Sequence, residues 1–187
     1  MKLLLHAVEY ASRANGPGLR AVVWFQGCTL GCSGCFNPAT HSTDGGSVVD
    51  TADIATSVLA HRRRIEGVTI SGGEPLQQPE ALLDLLRRVE GSGLSALVFS
   101  GYTRTEIERQ PLGLTILQHL DVLIAGRYLR SRHVGRGLLG SGNQTVHLLS
   151  DRYAVTDFEA IPKLDIILHN DGTISVTGID PPRFSTS

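Results

Sequence analysis

At 187 residues, 41% of them hydrophobic and 19% charged, with a formal net charge of -1, the chain has the balance of a soluble globular protein able to bury most of the surface its unfolded form exposes. That balance excludes a disordered chain and a generic nucleic-acid binder. All three cysteines lie between positions 28 and 35, which excludes an extracellular disulfide framework, since one thiol would be left over and the rest of the fold unstapled.

The chain opens MKLLLHAVEYASRANGPG. Its apolar run covers only residues 3–5 before His6 and Glu9 interrupt, too short for a signal-peptide core, and no later segment approaches membrane-spanning length. A cytoplasmic location with reduced thiols is expected.

Four short runs rich in Val, Ile, Leu and Phe follow, over 21–27, 67–71, 94–100 and 121–126, as suits strands buried on both faces. The cysteine loop follows the first run. Next, VVDTADIATSVLAHRRRIEG reads as a helix capped by Asp50, with Ile54, Val58 and Leu59 on one face and Gly67 as its stop. Arg62, Arg63 and Arg64 decorate its C-terminus. The second strand leads to a helix over 79–91 that turns Leu82, Leu83, Leu86 and Val89 inward, its acids early and its arginines late. TRTE (103–106) then forms a capping box opening a short helix that Pro111 ends.

A long connection over 126–144 precedes a strand at 145–150, and alternation around Asn170, Asp171 and Gly172 predicts a hairpin over 164–179. Arg127, Arg130, Arg132, His133 and Arg136 in the connection read first as a solvated face, since 15 of the 17 Lys and Arg residues are Arg. His6, His61, His119, His147 and His169 lack ligand spacing and read as ordinary polar or core residues. The repeated strand–helix alternation implies an α/β fold with a parallel sheet and right-handed crossovers, in which ligands gather at the C-terminal strand ends. Cys28, Gly72 and Gly101 each follow a strand, so three loops converge on one mouth.

Soft thiolates spaced Cys28-x3-Cys32-x2-Cys35 select zinc or an iron–sulfur cluster. A structural zinc would take His41 as its fourth ligand, although such ligands usually come from two separated pairs. A four-iron cubane normally takes four cysteines; with three, one iron keeps an open position, the mark of a catalytic metal. A Cys32–Cys35 redox pair would leave Cys28 unused.

CTLGCSGCFNPATH resembles the radical S-adenosylmethionine superfamily, most closely the glycyl-radical activases of anaerobic ribonucleotide reductase. The resemblance implies a partial (β/α) barrel, a [4Fe-4S] cluster on Cys28, Cys32 and Cys35, and S-adenosylmethionine cleaved reductively to a 5′-deoxyadenosyl radical that abstracts hydrogen from substrate. It further implies that Gly72, Gly73, Glu74 and Pro75 hold the methionine ammonium, and that Ser100, Gly101, Tyr102 and Asn143 shape the nucleoside side. Alone, Gly72-Gly73-Glu74-Pro75 would be a plain strand-to-helix turn. NGPGLR (15–20), FSGYT (99–103) and GSGNQTVH (140–147) also resemble segments of that family, with Ser100 for a Thr and Gly142 for a Ser. Ala125 stands where an Asp is expected, and Arg127 where Lys is common.

The expected organisation is one domain over 1–187, with a core at 15–150 and an appended hairpin in 151–187. The expected partners are a glycyl-radical protein as substrate and a flavodoxin or ferredoxin as electron donor. The alternatives are a radical enzyme modifying a small molecule of deazapurine type or a peptide, and a non-catalytic zinc or iron–sulfur module.

Overall fold

The computed structural model describes residues 1–179. In chain order the strands are β1 (Lys2–Ser12), β2 (Arg20–Phe25), β3 (Ser47–Asp50), β4 (Gly67–Gly72), β5 (Ser95–Ser100), β6 (Val122–Ala125), β7 (His133–Arg136), β8 (Leu139–Ser141), β9 (Thr145–Leu148), β10 (Leu164–Leu168) and β11 (Ile174–Gly178). The α-helices are α1 (Thr51–Ala60), α2 (Pro79–Val89), α3 (Arg104–Glu108) and α4 (Gly113–Gln118).

Seven strands form one sheet in the order β3-β1-β2-β4-β5-β6-β9, while β7–β8 and β10–β11 are separate two-stranded sheets. Its centre, β2-β4-β5-β6, is parallel, and these are the four apolar runs of the sequence. Both margins are antiparallel, so the expectation of a parallel sheet holds for the centre alone. Connectivity agrees with this: each parallel step crosses over through an α-helix, whereas β1 reaches β2, and β6 reaches β9, without one.

The main core lies between the sheet and the helices. Val23, Phe25, Val68, Ile70 and Val98 from the strands meet Ile54, Val58, Leu82, Leu86 and Ile107. On the other face Leu97, Val122 and Ile124 pack against Leu138 and Phe158.

Local predictions fared according to competition for each side chain. Thr103 and Glu106 form the expected capping box, with Glu106 N–H donating to Thr103 Oγ1 at 3.2 Å and Thr103 N–H to Glu106 Oε2 at 2.7 Å. Asp50 occupies the N-cap of α1 but makes no side-chain cap, because its carboxylate pairs instead with the Lys2 ammonium at 2.8 Å. Helix α1 ends at Ala60, short of Gly67, and Arg62, Arg63 and Arg64 lie in the turn beyond it. The predicted hairpin forms as β10 and β11, with Gly172 at φ 84° in the turn.

Candidate active site

The loops after β2, β4 and β5 meet at one end of the sheet. A cavity of about 510 Å³ is lined there by Cys28, Cys32 and Cys35, by Gly72, Gly73 and Glu74, and by Ser100 and Gly101. The three cysteines are half-buried. Burial pushes the Cys28 thiol up, opposed by the Leu30 backbone N–H.

The cysteine loop is held by backbone bonds at its base. Gly27 N–H donates to Thr40 O at 2.8 Å and Cys28 N–H to His41 O at 3.0 Å. Gly31 (φ 64°) and Gly34 (φ 77°) take the left-handed turns that coil the loop, a conformation costly for other residues. Gln77 fastens the loop to its neighbours: Oε1 accepts from Thr29 N–H at 3.1 Å, and Nε2 donates to Thr29 Oγ1 at 2.8 Å and Tyr102 Oη at 3.1 Å.

Gly72 and Gly73 bring bare backbone to the cavity. A Cβ on Gly73 would strike the carbonyl of Gly27, and one on Gly72 the carbonyl of Phe25. These contacts explain why side chains are missing there: the second loop lies flat against the first, with Gly73 N–H donating to Phe25 O at 2.8 Å and Glu74 N–H to Gly27 O at 2.9 Å.

Glu74 is 1% exposed and joins the second loop to the third. Its Oε1 accepts from Leu76 N–H at 3.0 Å and Ser100 Oγ at 2.9 Å; its Oε2 accepts from Gly101 N–H at 2.7 Å. Burial outweighs these bonds and raises its carboxyl to about 7. The stability that follows is complete below the unfolded carboxyl range near 4.5 and is lost as pH rises through 7, because the folded state then holds a desolvated anion. Wild-type protein in reducing buffer should therefore lose up to about 3 kcal/mol between pH 5 and 8 that Glu74→Gln does not lose, seen as a steeper fall of the urea midpoint with pH. Parallel pH profiles for the two proteins would refute this.

The structure gathers most of the expected site residues but not all. Pro75 is buried behind the cavity wall. Tyr102 lies outside the lining, its hydroxyl on Gln77 and its ring 5.5 Å from the Arg127 guanidinium, which also pairs with Glu106 at 2.9 Å. Asn143 also lies outside the lining and donates to Arg127 O at 2.8 Å. Its neighbour Gln144 takes the place on the cavity wall instead, accepting from Gly140 N–H at 2.9 Å and donating to Gly126 O at 2.9 Å. Gln144 stands in the same sequence block as Asn143, so the block reaches the cavity wall through Gln144.

The donor set fits a cluster better than a single ion. Among the described residues no three His, Cys, Asp or Glu side chains form a ready-made site for one metal ion. Each thiolate of a cubane binds a different iron, and all three cysteines line this one cavity.

A family model described as "4Fe-4S single cluster domain" matches residues 14–147. The chain is 36% identical over 125 residues to the pyruvate formate-lyase-activating enzyme of Clostridium pasteurianum, covering 64% of this chain and 50% of that protein. It is 32% identical over 142 residues to the anaerobic ribonucleoside-triphosphate reductase-activating protein of Haemophilus influenzae, covering 71% of this chain and 90% of that protein. Among solved structures, QueE from Escherichia coli aligns with a TM-score of 0.44 at 20% identity, over 55% of this chain and 54% of that one. The chain belongs to the 4Fe-4S single-cluster family and, with the glycyl-radical activating enzymes, to the radical S-adenosylmethionine superfamily.

Proposed function

We propose that this protein is a radical S-adenosylmethionine enzyme whose substrate is a backbone glycine of a partner glycyl-radical protein. The observation that carries the reading is the meeting of all three cysteines with the Gly72-Gly73-Glu74 loop around one cavity. In this reading Cys28, Cys32 and Cys35 hold a [4Fe-4S] cluster, which supplies the electron that splits the sulfonium carbon–sulfur bond of S-adenosylmethionine.

The chain's own residues supply position and exclusion. Gly72 and Gly73 offer backbone to the ammonium end, while Glu74 fixes the spacing between that loop and the Ser100-Gly101 turn. Gly126 and Gln144 shape the nucleoside side in the role first expected of Asn143. In this reading the sheet and its helices make up a partial (β/α) barrel, supported by the parallel order β2-β4-β5-β6 with a helix in each crossover. Residues 1–187 act as one domain in the cytoplasm, and a flavodoxin or ferredoxin delivers the electron.

The test is anaerobic reconstitution with iron and sulfide, then reduction with dithionite in the presence of S-adenosylmethionine and a peptide containing α-deuterated glycine. Formation of 5′-deoxyadenosine carrying deuterium is expected. Absence of 5′-deoxyadenosine overturns the chemistry; unlabelled product throughout overturns the glycine assignment.

A further inference from the structure

The cavity has a second wall, built from segments far apart in the sequence. Residues 6–9 of β1 and residues 175–179, which run from β11 into the next position, line it. Both segments lie outside residues 14–147, the span that matches the family model. The three cysteines and the Gly72-Gly73-Glu74 loop lie inside that span.

That wall is fastened by buried polar contacts. Ser12 Oγ and Thr177 Oγ1 are 2.8 Å apart, and Asn15 Nδ2 donates to both, at 2.8 Å each. All three residues are at most 5% exposed. Arg13 N–H donates to Asp165 Oδ2 at 2.8 Å. The hairpin is therefore locked onto β1, because burying these groups without one another would cost about 1–3 kcal/mol apiece.

Glu9 stands on this wall, 6% exposed. Its Oε1 accepts from Tyr10 N–H at 2.8 Å and Ala11 N–H at 3.3 Å. Its Oε2 has a single long contact among the described residues, 3.4 Å to His169 Nε2. That ring nitrogen lies closer to Ser175 Oγ, at 2.7 Å. Because hydroxyl and carboxylate meet the same nitrogen, the trio cannot relay a proton through the ring in the manner of a catalytic triad. What it leaves is a carboxylate oxygen at the cavity without a short charged donor, a position that a cation fills best.

The neighbouring backbone narrows the kind of molecule. Consecutive residues of two extended segments line the cavity, and among the described strands β11 is paired only with β10, which leaves one edge of the kind an extended polypeptide matches. Resting on the reading of this cavity as the radical site, we propose that β1 and the C-terminal hairpin form the substrate-recognising wall, and that Glu9 receives a cationic side chain, guanidinium or ammonium, of a polypeptide substrate.

Trp24, the sole tryptophan, lines the same cavity and reports binding by its fluorescence. The probe is acetyl-Gly-Gly-Arg-Gly-Gly-amide, titrated into the protein without S-adenosylmethionine beside the same peptide with citrulline in place of arginine. Wild type should bind the arginine peptide about tenfold more tightly, and Glu9→Gln should bind both alike. Equal binding by wild type, or a preference surviving in Glu9→Gln, would overturn the role of Glu9. Agmatine binding as tightly as the arginine peptide would overturn the polypeptide assignment. The titration involves no radical step, so its outcome and that of the 5′-deoxyadenosine test fail independently.

Discussion

Cys28→Ala, Cys32→Ala and Cys35→Ala should each lose reconstituted iron and 5′-deoxyadenosine formation to background while keeping the fold. The expectation rests on where the cysteines sit. All are half-buried in one loop, and none belongs to either hydrophobic cluster, whose members come from the sheet and the helices packed on it. Removing a partly exposed thiol outside the core should move stability by about 0.5 kcal/mol or less in the metal-free protein. Iron content and far-UV circular dichroism measured on the same samples separate the two effects. His41→Ala serves as the contrast. If three thiolates alone hold the metal, this variant retains its iron, whereas a zinc site completed by His41 would be lost with it. A cysteine variant with wild-type iron and wild-type cleavage would falsify the assignment of that thiol.

The parts of this structure that were legible in the sequence are those where one demand dominates a segment. The runs that became β2, β4, β5 and β6 are buried on both faces, so their composition is almost wholly apolar and unambiguous. Strand β1 answers to several demands at once. Its first residues pair with β3, its remainder pairs with β2, and His6 and Glu9 turn polar groups to a cavity, so no simple alternation survives. The burial of Glu9 was illegible for the same reason: its partners are the backbone of the next two residues and His169, 160 positions away. Asp50 shows the converse, a local signal overridden at long range when Lys2 claims the carboxylate that would have capped α1. At the site, backbone-driven features such as the glycine turns were readable from residue type alone. The choice between Asn143 and Gln144 depends on which way the loop presents each side chain, and no residue type encodes that.

Arg20→Ala should cost about 3–5 kcal/mol of folding stability, a large share of what a domain of this size has. Arg20 is fully buried, and among the described residues its hydrogen-bond partners are hydroxyls and backbone carbonyls. Nε donates to Thr69 Oγ1 at 2.7 Å. Nη1 donates to Ser95 Oγ at 2.9 Å, Tyr153 Oη at 3.1 Å and Pro17 O at 3.2 Å, and Nη2 to Val68 O at 2.9 Å and Ser95 O at 3.2 Å. Burial lowers the guanidinium pKa below its ordinary value, partly offset by Tyr153. Truncation would open a cavity and strand several buried acceptors together, and Arg20→Lys would restore little, since three ammonium donors cannot match the planar fork that six contacts use. Tyr153→Phe removes one of those contacts and should cost about 1 kcal/mol, so the ratio of the two losses in urea unfolding tests whether the network or the side-chain volume matters. The position of Arg20 adds a second expectation. It begins β2 beside Gly67 and Ser95, the first residues of β4 and β5, at the opposite end of the sheet from the loops that carry the cysteines. Below its melting transition, Arg20→Ala should therefore still take up iron on Cys28, Cys32 and Cys35. Unfolding within about 1 kcal/mol of wild type, or loss of iron uptake in the folded variant, would show that Arg20 does not act by holding the far end of the sheet together.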